Sequence, residues 1–469
     1  MKFNFLGAIA ASVALSMPLT MPAQEVAQND TLVLSLDQCI TIALNENPTI
    51  KIADMEIERV DYSKKEILGQ LLPNISFNGQ YSRTVEKQTM YMSMGSLGGG
   101  SSDASENGSS SGKTGIQVGL DNSYSLGFSA SMPIIAPQLW ATLKLSDSQI
   151  MQSIETARKS RLSLINQVKS AYYSLLLAED SYNVILENYN NALFNQEVYQ
   201  KQYEAGVASE YDVLRTSVAV KNVEPELLQA EIAIKQARLQ LSILMGMNAT
   251  LPIKADVSLA DYETTMYDNT LSISRSIENN TDLRMLDIQT DQLNNALKIQ
   301  KMAWYPTLAL TANYNWTSMS NGNMFKNFTW TPYSTVGVTL SFPIFQGGQR
   351  YSKIKQARIQ VDEMTWQREN LERTINMQVD LAIDNIQMNV QQIASCAESV
   401  NQADKAHDIM ERSFQIGAAS YLDLRDSELA LTRARLAYYQ AIYNYLIANS
   451  NLELLLGNAD IEKYSSTNE

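Results

Sequence analysis

The sequence predicts a mainly α protein that also carries a membrane β-sheet, with four strands per chain that close only within an oligomer and long helical hairpins continuing from them. Three observations predict it. Between a pair of prolines in each half, polar and apolar residues alternate with period two. From Gln138 to Tyr203 there is neither proline nor glycine, which gives a helical rod of about 100 Å at 1.5 Å per residue. Landmarks of the first half return in the second at nearly constant spacing, so the chain holds two internal repeats.

The chain opens with Met1-Lys2, an apolar run from Phe3 to Met17 and the small-residue segment Pro18 to Ala23. That order reads as a secretory signal peptide over residues 1–23, and a single Lys ahead of a short apolar core fits it better than a buried N-terminal helix does. Cys39 follows Leu36-Asp37-Gln38, which is not a lipobox. Beyond residue 23 no window approaches the ~20 consecutive apolar residues of a transmembrane helix, so a membrane crossing has to be made by strands. A net charge of −14, from 36 basic and 50 acidic residues, argues against a phosphate-binding surface and makes nucleic acid an unsuitable partner. Two cysteines, Cys39 and Cys396, make no disulfide framework, although export permits one bridge between them; inert packing on helical patterns is the expected fate.

The repeat is legible as arithmetic. Asn47 matches Asn280 (280 − 47 = 233) and Pro73 matches Pro306 (306 − 73 = 233). Pro133 matches Pro343 (343 − 133 = 210), while Gly206 with Gly417, Asp212 with Asp423 and Gly246 with Gly457 keep an offset of 211 (417 − 206 = 211). The first repeat is placed at 37–260 and the second at 270–457, with a polar tail at 458–469. The first half carries 23 extra residues between its prolines (233 − 210 = 23), and Ser93 to Gly112, with six Gly and eight Ser, accounts for them as an expected mobile loop.

Strands are expected at about 74–83, 123–133, 307–317 and 334–343. In the first, Ile75, Phe77, Gly79 and Tyr81 alternate with Asn, Ser and Gln; in the third, Leu308, Leu310, Ala312, Tyr314 and Trp316 alternate with Thr, Ala and Asn. A length near ten residues suits a tilted membrane strand. The polar faces hold Ser, Thr, Asn and Gly with almost no charge, and Tyr81, Trp316, Trp330 and Tyr333 gather near the loop ends, as in a wet lumen with an aromatic girdle. A soluble sheet with one face on a core shows the same alternation. Four strands cannot close a barrel, so the membrane reading requires a cyclic oligomer, or open edges would face lipid.

Long helical hairpins are expected over 138–246 and 349–457. Val168, Tyr172, Leu175, Tyr182, Ile185 and Tyr189 on the first, and Val379, Ile383, Ile386, Val390 and Ile393 on the second, step by three, four and seven as a coiled-coil seam does. Each rod reverses at a short turn. Gly206 stops one helix, Ser209 caps the next and Asp212 stands three residues on; Gly417, Ser420 and Asp423 repeat the same grammar. Capping and the helix dipole alone account for Asp212 and Asp423. Asp426, in the second turn, is less well explained that way; with Asp423 it can ring the end of a three-fold tube with up to six carboxylates and favour cations.

Leu36-Asp37-Gln38 leading to Ala43-Leu44-Asn45-Glu46-Asn47-Pro48, the strand-opening Leu72-Pro73 and Tyr305-Pro306, Ser341-Phe342-Pro343-Ile344-Phe345 with Gly347-Gly348, and the paired Gly turns make the chain resemble the TolC-like outer-membrane factor family. The resemblance covers nearly all of the mature chain. It implies a homotrimer whose twelve-stranded barrel crosses the outer membrane, in contact with its lipid, and continues as a periplasmic α-helical barrel. The implied function is passive export in a tripartite efflux or type I secretion system. An inner-membrane transporter of RND or ABC type and a periplasmic adaptor drive it, and no cofactor is needed. The adaptor-facing turns are then Gly206, Ser209, Gly417 and Ser420; the pore constriction is Asp423 and Asp426; Asp212 matches an acid of the closing latch. Two positions depart from the family: Ala419 stands where a basic residue is expected, and Phe414 lacks the expected aromatic hydroxyl. Arg215 or Arg425, adjacent on the returning helices, is the expected substitute partner for Asp423 or Asp426.

Enzymatic readings lack residues to carry them. The single His407 lies on the seam, and no phosphate-binding Gly loop, nucleophile elbow or Cys-x-x-Cys pair is present. A periplasmic adaptor would need a small β-rich domain inside its hairpin, and a structural rod or adhesin would have no need of two-sided strands.

Overall fold

The computed structural model describes residues 32–92, 114–247, 253–263, 275–321, 329–458 and 461–465. The expected signal peptide, the Gly/Ser stretch and part of the polar tail lie outside the described residues. In chain order the elements are β1 (Leu32–Leu34), α1 (Leu36–Glu46), α2 (Pro48–Gly69), β2 (Asn74–Arg83), β3 (Gln88–Met92), β4 (Thr114–Val118), β5 (Asn122–Ile135), α3 (Pro137–Glu204) and α4 (Glu210–Leu244). They continue with β6 (Ile253–Ala255), a 3-10 turn (Leu259–Tyr262), α5 (Thr281–Met302), β7 (Thr307–Ser320), β8 (Thr331–Ser341), α6 (Gln349–Gln415), α7 (Tyr421–Leu456) and α8 (Ile461–Ser465).

The main sheet has the order β2-β5-β7-β8, antiparallel throughout, with β2 and β8 as free edges. Its register aligns the apolar face across strands: Phe77 opposes Phe128, Phe128 opposes Tyr314, and Leu126 opposes Trp316. Rings meet along this face, at 5.0 Å for Phe77 with Phe128 and 4.5 Å for Tyr314 with Trp316. Phe77 with Phe128 is a cross-strand pair, of a kind that stabilises a sheet by roughly 0.2–1 kcal/mol, whereas Tyr314 and Trp316 are neighbours on one face of β7. The opposite face is a lattice of uncharged donors and acceptors. Ser76 and Ser129 hydroxyls lie 2.7 Å apart, the Asn78 amide donates to Ser129 at 3.2 Å, and the Asn313 amide donates to Thr335 at 3.4 Å.

The strands of this sheet are the four expected, and two further short strand pairs lie outside it. β3 and β4 form a separate antiparallel ribbon that prolongs the β2–β5 hairpin past a break pinned by Lys87, 2.9 Å from Asp121. β1 and β6 form a short parallel pair. Neither was visible because strands of three or five residues are too short to display a period. The fourth strand lies earlier than expected, at Thr331–Ser341, and ends short of Pro343, which has no N–H to give to a ladder. Pro332 stands at the second residue of the strand, at its loop end, opposite Trp316. β5 runs on to Ile135, with Pro133 absorbed by a register shift.

α3 and α6, of 68 and 67 residues, run the whole length of the shaft, about 100 Å. Their returning partners α4 and α7 have only 35 and 36 residues and end half-way. There α2 takes over from α4, and α5 from α7, each start meeting the other helix's C-terminal end. One asparagine serves both ends. Asn47 Oδ1 accepts from Thr49 N at 2.7 Å while its Nδ2 donates to the Leu244 carbonyl at 2.7 Å. Asn280 accepts from the Asp282 and Leu283 amides at 2.9 and 3.0 Å and donates to the Leu455 carbonyl at 2.7 Å. Orphan N–H groups of one helix and an orphan carbonyl of the other are thereby satisfied together, with the two dipoles head to tail. Gly246 and Gly457 let the backbones approach: a Cβ there would stand 2.8 Å from the Glu46 carbonyl oxygen and 2.1 Å from that of Asn279. This is the physical content of the repeated Asn and Gly.

The core is thickest at this mid-shaft level, where Cys39, Ile40, Tyr172, Leu175, Leu241, Ile253, Leu259 and Ile386 are all buried. Tyr172 donates to Asp256 at 2.7 Å, and Asp180 accepts from Leu259 N at 2.9 Å and Ser258 Oγ at 3.0 Å, fastening the 3-10 turn to α3. Lys463 of α8 reaches Asp37 at 2.9 Å. Burial pushes the Cys39 thiol up to about 12, and both cysteines are free. Pro225 is accommodated within an uninterrupted α4.

Candidate functional site

Every residue expected to act is placed at the two hairpin turns, at the far end of the shaft from the sheet. The first helix stops where Gly206 takes φ +77° and the Val207 amide donates to the Gln202 carbonyl at 2.9 Å. Gly417 (φ +73°) does the same for α6, with the Ala418 amide on the Ser413 carbonyl at 2.8 Å. Each returning helix then starts with a capping box. Ser209 Oγ donates to Asp212 Oδ2 at 2.6 Å and accepts from the Asp212 amide at 3.3 Å; Ser420 and Asp423 repeat this at 2.7 and 3.3 Å. Hydrogen bonds from Ser209 hold the Asp212 carboxyl below the usual carboxylate range, and those from Ser420 do the same for Asp423.

Asp423 and Asp426 are both exposed on the first turns of α7. Arg215 and Arg425 are half-buried, and among the described residues no ion pair joins either to Asp423 or Asp426. Arg215 instead lies over the Tyr421 ring, 5.4 Å from its centre. Tyr421 meets Tyr199 edge-on at 5.3 Å, and Tyr199 faces Phe414 at 6.4 Å. Sequence reasoning missed Tyr421; its only signal was an aromatic immediately after the Ser420 cap.

Further along the shaft, His407 Nδ1 lies 3.2 Å from Ser427 Oγ. Beside it Glu428 accepts from Asn195 at 3.4 Å, and burial pushes its carboxyl up, opposed by His407, Asn195 and Arg425. Arg435 links Glu187 at 2.7 Å to Asp404 at 3.1 Å. Among the described residues no group of three or more His, Cys, Asp or Glu is placed to hold a metal ion, and no helix is long and apolar enough to cross a membrane. The arrangement offers exposed carboxylates, capped turns and an aromatic cluster.

Comparison with known proteins agrees on the kind of molecule. The family model described as "Outer membrane efflux protein" matches residues 39–247 and 272–458. The outer membrane protein TolC of Escherichia coli is 23% identical over 346 residues, covering 72% of this chain and 70% of TolC. The alkaline protease secretion protein AprF of Pseudomonas aeruginosa is 22% identical over 348 residues, covering 73% of this chain and 72% of AprF. Among solved structures, the CmeC outer membrane channel of Campylobacter jejuni superposes with a TM-score of 0.69 at 18% identity, covering 99% of this chain and 98% of CmeC.

Proposed function

This chain belongs to the outer membrane efflux protein family, a non-enzymatic family of the outer membrane with a periplasmic extension, and we propose that three copies of it form one export duct. The observation that carries the proposal is the open sheet. β2 and β8 end as unpaired edges of a sheet apolar on one face and uncharged-polar on the other. Such edges do not persist in hydrocarbon, and an even number of strands per chain lets β8 of one copy continue antiparallel into β2 of the next. Eight strands would leave an interior just filled by side chains, whereas twelve open a water-filled lumen.

The shaft makes the same demand. Leu214, Val218, Leu228, Ile232 and Ile243 form an exposed apolar stripe along α4. Ile359, Trp366, Met377, Leu381 and Met388 do so along α6. A neighbouring copy offers each stripe the other, in a head-to-tail contact that closes into a ring. In that ring Asp423 and Asp426 form the acidic constriction at the periplasmic end. The turns at Gly206, Ser209, Gly417 and Ser420 meet a periplasmic adaptor, through which an inner-membrane transporter of RND or ABC type drives cargo. AprF is named for protease secretion and TolC carries no cargo in its name, so the relatives support the duct without choosing what passes through it.

Conductance in a planar bilayer tests this reading. Discrete steps with cation selectivity that fades in Asp423→Asn/Asp426→Asn support both duct and constriction; selectivity indifferent to both changes returns the acids to helix capping. A trimer that never conducts, even with its tip charges neutralised, overturns the duct.

A further inference from the structure

Charge is not spread evenly along the shaft. Four helices meet the sheet: α2 and α5 end beside it, and α3 and α6 start there. In the eight residues of each nearest the sheet, 62–69, 137–144, 295–302 and 349–356, there are eight basic residues and one acid, Glu66, a net +7. In the next eight of each, 54–61, 145–152, 287–294 and 357–364, two basic residues stand against nine acids, a net −7. Each band is about 12 Å deep at 1.5 Å per residue. A chain of net charge −14 therefore carries a positive collar where its strands end.

Helix chemistry does not account for the collar. A helix start favours acids over cations. Neither α3 nor α6 has an acid in its first turn, and Lys144, Lys353 and Lys355 lie within their first eight residues. Lys64 and Lys65 are tied into the acidic band, each 2.7 Å from its partner, Asp147 and Asp61 respectively. Arg350 is buried against the Trp304 ring and donates to the Pro343 carbonyl at 2.8 Å. Lys144, Lys298, Lys301, Lys353 and Lys355 are exposed, and among the described residues none of them joins an ion pair. Apolar side chains are exposed at the same level. Phe345 is 85% exposed and Ile344 84%, in the joint between β8 and α6; Leu72 and Tyr305 are exposed in the joints before β2 and β7. Lys355 Nζ lies 5.5 Å from the centre of the Tyr351 ring. Apolar groups and rings beside lysines, whose stems can lie along them, are the composition of a membrane–water boundary.

We propose that this collar binds the phosphates of anionic phospholipids in the periplasmic leaflet, with Ile344 and Phe345 among the acyl chains and Lys301, Lys353 and Lys355 at headgroup level. The inference rests on the reading that the sheet crosses the membrane as a closed barrel; it adds the charge class of the lipid and the residues that select it. The acidic band below repels the same headgroups, so the two bands together fix how deep the shaft sits.

The test offers the detergent-extracted oligomer an equimolar mixture of phosphatidylglycerol and phosphatidylcholine in mixed micelles, and measures each lipid retained after gel filtration by mass spectrometry. Wild type is compared with Lys301→Gln/Lys353→Gln/Lys355→Gln and with the same three positions changed to Arg. A further variant, Lys201→Gln/Lys405→Gln/Arg412→Gln, removes equal charge from exposed positions toward the far end of the shaft. Each is first confirmed as the wild-type oligomer by light scattering. A basic residue near an anionic surface favours it by about fivefold, so wild type is expected to enrich phosphatidylglycerol and the collar Gln variant to lose about tenfold or more of that enrichment. The Arg variant and the far-end variant are expected to match wild type, and added salt is expected to weaken the enrichment. Equal retention of both lipids by wild type overturns the collar, as does enrichment that survives the three collar Gln changes. If that survival comes with altered ion selectivity in planar bilayers, the lysines line the lumen instead. Should the Gln variant fail to assemble, the salt response of wild type decides: enrichment indifferent to salt overturns the collar. A wild type that retains neither lipid and forms no channel contradicts the membrane reading itself, whereas a conducting wild type indifferent to lipid charge refutes the collar alone.

Discussion

Replacing Asn280 by Ala removes two functions of one side chain. Its Oδ1 caps α5 through the Asp282 and Leu283 amides, and its Nδ2 ties that cap to the Leu455 carbonyl at the end of α7. Asn280 is 3% exposed and Leu283 5%, so the groups left behind cannot turn freely to water. Loss of a cap costs about 1 kcal/mol, and orphaning a buried donor and acceptor about 1–3 kcal/mol, for a total near 2–4 kcal/mol. Asn280→Ser separates the two, because a serine keeps the cap and cannot reach the carbonyl; it is expected to lose about half as much. Asn47→Ala, with its own tie to Leu244, is expected to behave in parallel. The assay is thermal unfolding of the detergent-solubilised oligomer followed by circular dichroism at one scan rate, since large membrane oligomers unfold under kinetic control. A melting curve of Asn280→Ala superimposed on wild type refutes the claim that these asparagines splice the shaft.

Other consequences follow from single sites. Ser420→Ala removes the hydroxyl that donates to Asp423 Oδ2 and leaves the backbone N–H that also donates to it, so the carboxyl moves part of the way back toward its ordinary value of 3.8. A carboxyl depressed on folding stabilises the fold above that ordinary value and loses the contribution as pH falls through its lower folded value. In Ser420→Ala, cation selectivity is therefore expected to titrate away at a higher pH than in wild type, and an unshifted midpoint would falsify the link. Gly127→Val places a Cβ 1.9 Å from Asn315 Oδ1 and 2.9 Å from the Tyr314 carbonyl oxygen on the polar face of the sheet. It should lower the yield of oligomer in the outer membrane, measured by heat-modifiable electrophoretic mobility; an undiminished yield contradicts the register. Ile232→Asp puts a charge on the 64% exposed centre of the α4 stripe. Light scattering is expected to show loss of the oligomer while the helical dichroism of the chain survives.

How much was legible depended on the range of the forces involved. Period two in residues such as Leu308, Leu310 and Ala312 marks strand sidedness directly, because each side chain reports its own face. Capping is local, so Gly206, Ser209 and Asp212 spell a turn within seven residues. The mid-shaft was illegible: β1 pairs with β6 across more than 200 residues, and three-residue strands carry no period. Asn47 and Asn280 were visible as a repeat, but their partners Leu244 and Leu455 lie 197 and 175 residues away. At the tip, charge complementarity pointed to Arg215 or Arg425 with Asp423 or Asp426; within one chain Arg215 lies over the Tyr421 ring, and its charge helps to lower the Asp212 carboxyl. Nothing in residue spacing distinguishes a guanidinium seeking a carboxylate from one that stacks.

The free edges β2 and β8 are expected to close on copies of themselves in the outer membrane. The most direct test is the protein mass per detergent micelle, measured by light scattering with detergent subtraction on material extracted from purified outer membranes. A single species of three chains of at most 52.4 kDa each is expected. A monomer, or a protein recovered without detergent from the periplasm, would contradict it.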